Sequence, residues 1–212
     1  MRVAILETVK TQAGFEQEFD RLIIDELKKQ GHDPVLYLPE HSSLPVDFGI
    51  PTEYLNGGKI IDYEGVGKLK KIWLSIQRER RRVRWFNAAY EKACQHEVDA
   101  IILTTATYRY LRSLHQSRLK KSPVPVIFIF LGVNPQEKPK FLKQARRCQA
   151  YPNIKLKITT LRNDFKEDAV SNVELIRPPV LIPREITVQP FLTYHEPVRI
   201  GFFGHYRKGE KN

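Results

Sequence analysis

The sequence predicts an α/β domain built on one parallel sheet of about six strands, with helices on both faces of the sheet. Short apolar runs rich in valine and isoleucine alternate with longer segments in which apolar residues recur at helical spacing. The first strand, the first helix and the second strand together occupy about 38 residues, the size of a right-handed βαβ unit. The strands are apolar at consecutive positions, which is typical of strands that helices cover on both faces.

The predicted strands start with a β-branched apolar run at the N-terminus, and five similar runs follow. They cover residues 2–7, 34–38, 98–103, 123–131, 154–160 and 173–176. The first predicted helix has apolar residues on one face from Phe15 to Leu27, Asp20 among its polar positions, and Gly31 where a C-cap belongs. The later predicted helices cover residues 66–96, 108–120 and 139–149.

The prolines and glycines of the chain mark its connections. Three of each between residues 39 and 58 indicate an irregular loop over the sheet edge. We predict a first domain over residues 1–180 and a proline-rich linker over residues 181–197. Residues 198–212 are predicted to form the first strand and loop of a second domain, which these 212 residues do not complete.

The composition excludes several classes of protein. With 42% hydrophobic and 10% aromatic residues, the chain is neither disordered, nor collagen-like, nor a bare coiled coil. A net charge of +11 indicates an anionic partner. Cys94 and Cys148 lack metal-ligand spacing, so we expect a reducing compartment and no metal site. His41 and His115 are candidate catalytic bases, although no triad spacing supports either. We expect a cytoplasmic protein, because no apolar run approaches the roughly 18 residues of a membrane span.

Small and polar residues follow three of the predicted strands. The carboxyl ends of parallel strands share one edge of the sheet, and ligands bind there. A glycine at this edge lets backbone approach a ligand, and the N-terminus of the next helix offers free N–H groups. The candidate ligand-binding residues are Thr11, Gln12, Gly14, Phe15, Glu16, Thr104, Thr105 and Asn134.

Each of these loops also has a simpler interpretation. The segment around Gly14 can be a plain tight turn, because a lone glycine is not a dinucleotide-binding fingerprint. Thr105 or Thr107 can cap the helix that follows, and residues 132–134 can form an ordinary turn. The convergence of three such loops on one edge is what favours a binding cleft.

The segment of residues 68–84 is strongly basic. It contains eight lysines and arginines against Glu79 alone, and Trp73, Trp85 and Phe86 are interleaved with them. This pattern is typical of a helix that lies on an anionic membrane, whereas a solvated helix face is the alternative. Nucleic acid is a weaker rival and is not expected, because no nucleic-acid-binding motif is present. The predicted membrane-binding residues are Lys70, Lys71, Trp73, Arg80, Arg81, Arg82 and Arg84.

Several segments together resemble the GT-B glycosyltransferases, which transfer sugars from nucleotide donors. The opening Met1-Arg-Val-Ala-Ile-Leu6, the turn Gln12-Ala-Gly-Phe-Glu16 and the segment Lys29-Gln-Gly-His-Asp33 are similar to the start of that family. Further matches in the expected order are Val98-Asp-Ala-Ile-Ile-Leu103, Val124-Pro-Val-Ile-Phe-Ile-Phe130, Lys155-Leu-Lys-Ile-Thr-Thr160 and Val173-Glu-Leu-Ile-Arg-Pro-Pro179. The resemblance implies a Rossmann-like N-terminal domain that binds the acceptor.

The last residues resemble the first strand and loop of the second, donor-binding domain of the same family. In that family a glycine, an arginine and a later lysine hold the donor diphosphate. Here His205 stands where the arginine is usual, and the acidic motif of the donor domain is not among the 212 residues. The resemblance therefore assigns the donor phosphate to Gly204, His205, Arg207 and Lys211.

The resemblance implies a glycosyltransferase whose partners are a nucleotide-sugar donor, a glycan or lipid-linked acceptor, and the inner face of an anionic membrane. It implies no cofactor. A second domain or partner chain would be needed, so we expect these 212 residues alone to be inactive. The residues leave two alternatives: a non-catalytic basic module that binds anionic membrane or nucleic acid through residues 68–84, and a flavodoxin-like regulator. The latter is disfavoured because Glu7 alone is acidic at the end of the first strand.

Overall fold

The structure is a computed structural model that describes residues 1–7, 15–40, 42, 47–57, 65, 67–159 and 170–176. All of these residues belong to one compact unit, Met1–Pro179. The predicted linker and the predicted second-domain strand lie outside the described residues, and so does His41.

The described residues form a single sheet of seven strands in which every neighbouring pair is parallel. The strands are β1 (Arg2–Leu6), β2 (Asp33–Pro39), β3 (Thr52–Leu55), β4 (Ala100–Leu103), β5 (Val126–Phe130), β6 (Ile154–Thr159) and β7 (Val173–Ile176). Their spatial order is β3-β2-β1-β4-β5-β6-β7, the doubly wound order of Rossmann-like folds. The predicted fold class is confirmed, with one strand more than expected.

The additional strand is β3, which lies in the segment predicted to be an irregular loop. It has four residues and pairs with β2 at the edge of the sheet, with Leu36 opposite Thr52. Leu55 is its one buried residue. An edge strand needs apolar residues on one side only, so β3 lacks the continuous apolar run that marks the central strands.

Four α-helices and one 3₁₀ turn connect the described strands. They are α1 (Phe15–Lys29), α2 (Lys68–Cys94), α3 (Tyr108–Gln116), the 3₁₀ turn Arg118–Lys121 and α4 (Lys138–Cys148). The helix predicted over residues 108–120 is therefore shorter. At Ser117 the backbone becomes extended, and the Ser117 hydroxyl donates to the carbonyl of Leu114 at 3.0 Å. This local bond replaces the next turn of the α-helix.

Helices cover both faces of the sheet, as predicted. The α1 helix packs Phe19 and Ile24 against one face. The other three helices pack on the opposite face, where Phe86 lies edge-on to Phe128 of β5 and Phe141 lies edge-on to Phe130. Most of the core therefore lies between the sheet and the helices α2 to α4.

The long helix α2 is packed along only half of its length. Its buried residues are Trp85, Phe86, Ala89 and Ala93, all in the C-terminal half. The prediction that Trp85 and Phe86 contact a membrane beside the basic residues is wrong, because both side chains lie in the core. The N-terminal half instead leaves its apolar stripe exposed. That stripe consists of Leu69, Ile72, Trp73 and Ile76.

Gly57, in the turn after β3, lies against α2. Its φ is +125°, and a Cβ at this position would lie 2.5 Å from the carbonyl oxygen of Arg81 and 2.6 Å from the amide nitrogen of Trp85. Only a glycine allows this approach, because any side chain would collide with helix backbone.

We predict that Gly57→Ala destabilises the fold by roughly 2–4 kcal/mol, because backbone strain and overpacking act together. The matched control is Gly31→Ala. Gly31 also has a positive φ, +75°, but no atom lies within 4 Å of its missing Cβ. This control should cost about 1–2 kcal/mol. Urea unfolding measures both variants, and equal losses of stability would contradict the proposed contact between the turn and α2.

Candidate functional site at the carboxyl edge of the sheet

The candidate site lies where the strand order reverses. From β1 the chain continues to β2 on one side, and from β4 it continues to β5 on the other. In doubly wound sheets a crevice opens at this switch point, beyond the carboxyl ends of the two strands. Glu7 directly follows β1, whereas Thr104 and Thr105 directly follow β4.

Glu7 and the two threonines form a hydrogen-bonded cluster across the switch point. The hydroxyls of Thr104 and Thr105 each donate to Oε2 of Glu7 at 2.7 Å. Glu7 is only 2% exposed, and Thr104 is fully buried. Thr105 is half-buried, and its hydroxyl proton is committed to Glu7. Its oxygen can therefore only accept a hydrogen bond from a ligand.

A second carboxyl group lies beside this cluster. Asp20 of α1 is fully buried, and neither of its oxygens has a hydrogen-bond partner in the described part of the chain. Burial, and then the charge of Glu7, raise the pKa of Asp20 from 3.8 to about 8. The nearby hydroxyl of Thr104 lowers this pKa, but its proton is donated to Glu7 and its effect is smaller than those of burial and Glu7. Asp20 therefore carries a proton at neutral pH, which avoids placing two like charges together in the protein interior.

The structure places the sequence-predicted residues in different positions. Thr104 and Thr105 come together with Glu7, as described. Glu16 lies exposed in the first turn of α1, which begins at Phe15. The other residues of this loop, Thr11, Gln12 and Gly14, lie outside the described residues, as do Gly204, His205, Arg207 and Lys211.

Two of the simpler interpretations can also be compared with the structure. Thr107 occupies the N-cap position of α3 without a side-chain hydrogen bond, and Thr105 bonds Glu7 rather than the helix. Asn134 follows β5, and its Oδ1 accepts the N–H of Gln136 at 2.9 Å. Its carbonyl oxygen accepts the N–H of Lys138 at 3.0 Å, so Asn134 organises the turn into α4.

His115, a candidate catalytic base, does not lie at the carboxyl edge of the sheet. This histidine is at the C-terminal end of α3, and its Nδ1 lies 3.1 Å from the hydroxyl of Tyr151. Tyr151 precedes β6, so the pair lies at the amino edge of the sheet. Among the residues that the structure describes, no group of three or more His, Cys, Asp or Glu side chains is placed to hold a metal ion.

Sequence reasoning missed Glu7 and Asp20 as members of the site. A carboxylate directly after a buried parallel strand was the available signal for Glu7. Asp20 was assigned to the polar side of the first helix. It lies four residues before the buried Ile24, and this spacing places both residues on the same helix face.

The predicted membrane-binding residues lie in two environments on α2. Lys70, Lys71, Trp73, Arg80 and Arg84 are exposed, and Arg81 is half-buried. The side chain of Arg82 is only 13% exposed and forms an ion pair with Glu79 at 3.3 Å. Its guanidinium also lies 4.5 Å from the ring centre of Tyr110, so Arg82 ties α2 to α3. No described helix is both long and apolar enough to cross a membrane.

Comparisons with known proteins find similarity only among solved structures. No family model matches the chain, and no curated protein matches it. The glycosyltransferase SsfS6 of Streptomyces sp. SF2575 is 12% identical, with a TM-score of 0.48 over 90% of this chain and 57% of that one. Anabaena HepE, solved with UDP and glucose, gives the same identity and TM-score over 84% and 44%. MurG of Acinetobacter baumannii is 9% identical, with a TM-score of 0.38 over 85% and 68%. The chain thus spans about half the length of the first two, and at these identities the likeness concerns the fold alone.

The buried Asp20 predicts an unusual pH dependence of stability. Its folded pKa of about 8 lies above the ordinary 3.8, so the folded state binds this proton more tightly than the unfolded state does. The free energy of unfolding should therefore fall as pH rises from about 4 to about 8, by roughly 1 kcal/mol per pH unit from this group. Asp20→Asn should flatten this dependence, which urea unfolding across the pH range measures.

The control is Asp25→Asn, which removes an exposed carboxylate from the same helix. This variant should keep the slope of the unmodified protein. A slope that persists in Asp20→Asn would show that another group causes the pH dependence.

Proposed function

We propose that the chain is the acceptor-side part of a glycosyltransferase, which transfers a sugar from a nucleotide-sugar donor to a glycan or lipid-linked acceptor. The observation that supports this most directly is the cluster of Glu7, Thr104 and Thr105 at the switch point of an all-parallel sheet. Sugar hydroxyls need such fixed polar groups in a crevice. The segments that resemble GT-B glycosyltransferases support the same proposal.

In this proposal Thr105 contacts the acceptor. Its oxygen accepts a hydrogen bond from an acceptor hydroxyl, because its own proton is donated to Glu7. Glu7 is a positioning residue, since it is buried and fixes the orientation of the threonine. The oriented acceptor oxygen then forms the bond to the anomeric carbon as the bond from that carbon to the nucleoside diphosphate breaks, and the proton of the acceptor hydroxyl passes to the departing phosphate. Alignment of this kind is a large part of enzymatic rate enhancement.

The donor would be held by the second domain. The resemblance assigns its diphosphate to Gly204, His205, Arg207 and Lys211, and no cofactor is part of the proposal. Because transfer takes place between two domains in this scheme, the 212 residues alone should bind acceptor without transferring sugar.

The test compares this chain alone with the extended chain, meaning this chain supplied with a donor-binding second domain on the same polypeptide or as a partner chain. We expect the extended chain to release nucleoside diphosphate from one nucleotide sugar, only when a glycan or lipid-linked acceptor is present. Thr105→Val should lower the transfer rate roughly tenfold or more, because it removes one hydrogen bond to the acceptor. Thr105→Ser is the matched control, since it keeps the hydroxyl and should keep most of the activity.

Because Thr105→Val also removes one hydrogen bond to the buried Glu7, the rates of both variants are compared at a temperature at which melting curves show both to be fully folded. The proposal fails if the extended chain transfers no sugar from any donor in the panel, or if Thr105→Val transfers as fast as Thr105→Ser. Transfer by the 212 residues alone would contradict the requirement for a second domain.

A second candidate function, binding of an anionic membrane, is favoured by the N-terminal half of α2. Leu69, Ile72, Trp73 and Ile76 recur at helical spacing, and their side chains are between 49% and 84% exposed. Basic residues flank this exposed stripe, which suits a helix lying at the lipid surface. Nucleic acid would leave the aliphatic side chains in water, so a membrane explains the surface better. This function is compatible with a lipid-linked acceptor, and the protein would then be peripheral on the inner face of the membrane.

Membrane binding predicts a specific loss in flotation assays with vesicles that contain phosphatidylglycerol. The double variant Ile72→Ser/Trp73→Ser should bind at least tenfold more weakly, because it removes most of the apolar contact. Arg80→Glu/Arg81→Glu should also weaken binding, by at least about fivefold for each arginine replaced, because each substitution reverses a charge. Tyr54→Ser is the control, because Tyr54 is an equally exposed aromatic on β3, where it is not part of the stripe. Equal binding by all variants would contradict this second function.

A further inference from the structure

A groove lies between the helices α2 and α3. It has a volume of about 450 Å³, within the range of about 300–1,000 Å³ that is typical of small-molecule sites. Five arginines line it, and Glu79 is the one carboxylate among the described residues of its wall. The arginines of this arginine groove are Arg78, Arg80, Arg82, Arg109 and Arg112. We propose that the arginine groove binds the phosphomonoester headgroup of a membrane lipid.

Glu79 does not neutralise the whole groove, because both of its carboxylate oxygens are bonded to Arg82 and Ser113, which form the floor of the groove. Its Oε2 pairs with Arg82 at 3.3 Å, and its Oε1 accepts the hydroxyl proton of Ser113 at 2.8 Å. Arg82 also donates to the hydroxyl of Ser113 at 3.1 Å and to the carbonyl of Arg109 at 3.3 Å. Arg82 and the carboxylate are thus bonded to each other and to Ser113, while the exposed Arg80 and Arg112 add positive charge to the wall of the groove.

The largest influence on the pKa of Arg82 in the floor is burial, and other arginines contribute to it. Burial lowers the pKa of Arg82; Tyr110 and Glu79 raise this pKa, and the nearby Arg78 and Arg109 lower it by smaller amounts. Like charges held together in this way create a potential that attracts anions. A bound dianion would offset the repulsion among these side chains.

The residue type favours a phosphate group. The planar guanidinium presents pairs of N–H donors that match two oxygens of a phosphate, and hydrogen bonds between ionised partners are stronger than neutral ones. A phosphomonoester offers three terminal oxygens and up to two negative charges, whereas a phosphodiester offers two oxygens and one charge. Several arginines around one groove therefore suit the monoester better than the diester.

The position of the groove favours a lipid as the carrier of this phosphate. Ile76 lines the groove and is also the last residue of the exposed stripe on α2. Arg80 follows it by four residues, about 6 Å along a helix. A helix with its stripe in the acyl boundary would hold Arg80 and Arg112 at the level of the headgroups. This step rests on the membrane docking proposed above.

The decisive experiment compares two kinds of vesicle that are matched in zeta potential. One contains phosphatidic acid, a phosphomonoester, and the other contains phosphatidylglycerol, a phosphodiester. We expect roughly tenfold tighter binding to phosphatidic acid, which corresponds to one additional charge-assisted hydrogen bond. Arg80→Gln/Arg112→Gln should bind both vesicles equally. The control Lys143→Gln/Arg146→Gln removes two exposed charges from α4 and should keep the preference.

A soluble analogue of the headgroup distinguishes binding in the arginine groove from binding to the membrane surface. Glycerol 3-phosphate should bind the unmodified protein and Ile72→Ser/Trp73→Ser alike in calorimetry, and it should bind Arg80→Gln/Arg112→Gln at least tenfold more weakly. If vesicle binding fails while this binding persists, the docking proposal and the lipid carrier are wrong, and the groove binds a soluble phosphomonoester. The proposal would be overturned by equal binding of the unmodified protein to both vesicles, or by a preference for phosphatidic acid that survives in Arg80→Gln/Arg112→Gln. It would also be overturned if single-stranded RNA displaced glycerol 3-phosphate at a lower concentration than phosphatidic acid does.

Discussion

The handedness of the connections between parallel strands is the constraint on which the rest of this structure depends. A crossover between parallel strands is right-handed, so a chain that moves to one side from β1 must place α1 on one face of the sheet. When the chain moves to the other side from β4, α3 must lie on the opposite face. The helices that follow β1 and β4 therefore lie on opposite faces, and in doubly wound sheets this divergence is what opens a crevice at the switch point.

This geometry also determines where buried polar groups can be tolerated. The hydroxyls of two adjacent threonines stabilise Glu7 in a place that water barely reaches. Asp20 has no such donors and is accommodated in its neutral form. Isolated buried charges are expensive, so a buried pair persists when one member is hydrogen-bonded and the other is protonated. Glu7 and Asp20 carry the same chemical group, but only Glu7 accepts hydrogen bonds from the two threonine hydroxyls.

The fold could be predicted from the sequence because strands and helices that pack on both faces of a sheet have apolar residues at regular spacing. β5 is apolar throughout and β1 is apolar after Arg2, and helices show their buried face by spacing. The edge strand β3 left no such record, since only Leu55 is buried. Periodicity could identify Thr104 and Thr105 as residues at a strand end. It could not show that Asp20 lies near Glu7, because the two residues belong to elements whose relative position depends on the whole sheet.

The same limit explains the outcome for α2. Trp73 and Phe86 both lie on apolar stripes of one helix, yet the first is exposed and the second is buried. Spacing states which residues share a face, whereas it does not state what covers that face. The coverage ends near Arg82, where the contact of Arg82 with Tyr110 and the hydrogen bond from Ser113 to Glu79 join α2 to α3.

Because α2 is packed unevenly, its C-terminal half is needed for folding, whereas its N-terminal half is available for binding a partner. Substitutions at exposed positions change stability by about 0.5 kcal/mol or less, whereas large buried side chains such as Phe86 contribute several kcal/mol. The first nine residues of α2 contain no buried side chain, so they can vary in sequence at little cost to the fold. Related chains could thus acquire different surface preferences by changing this segment, while the sheet and its crevice stay the same.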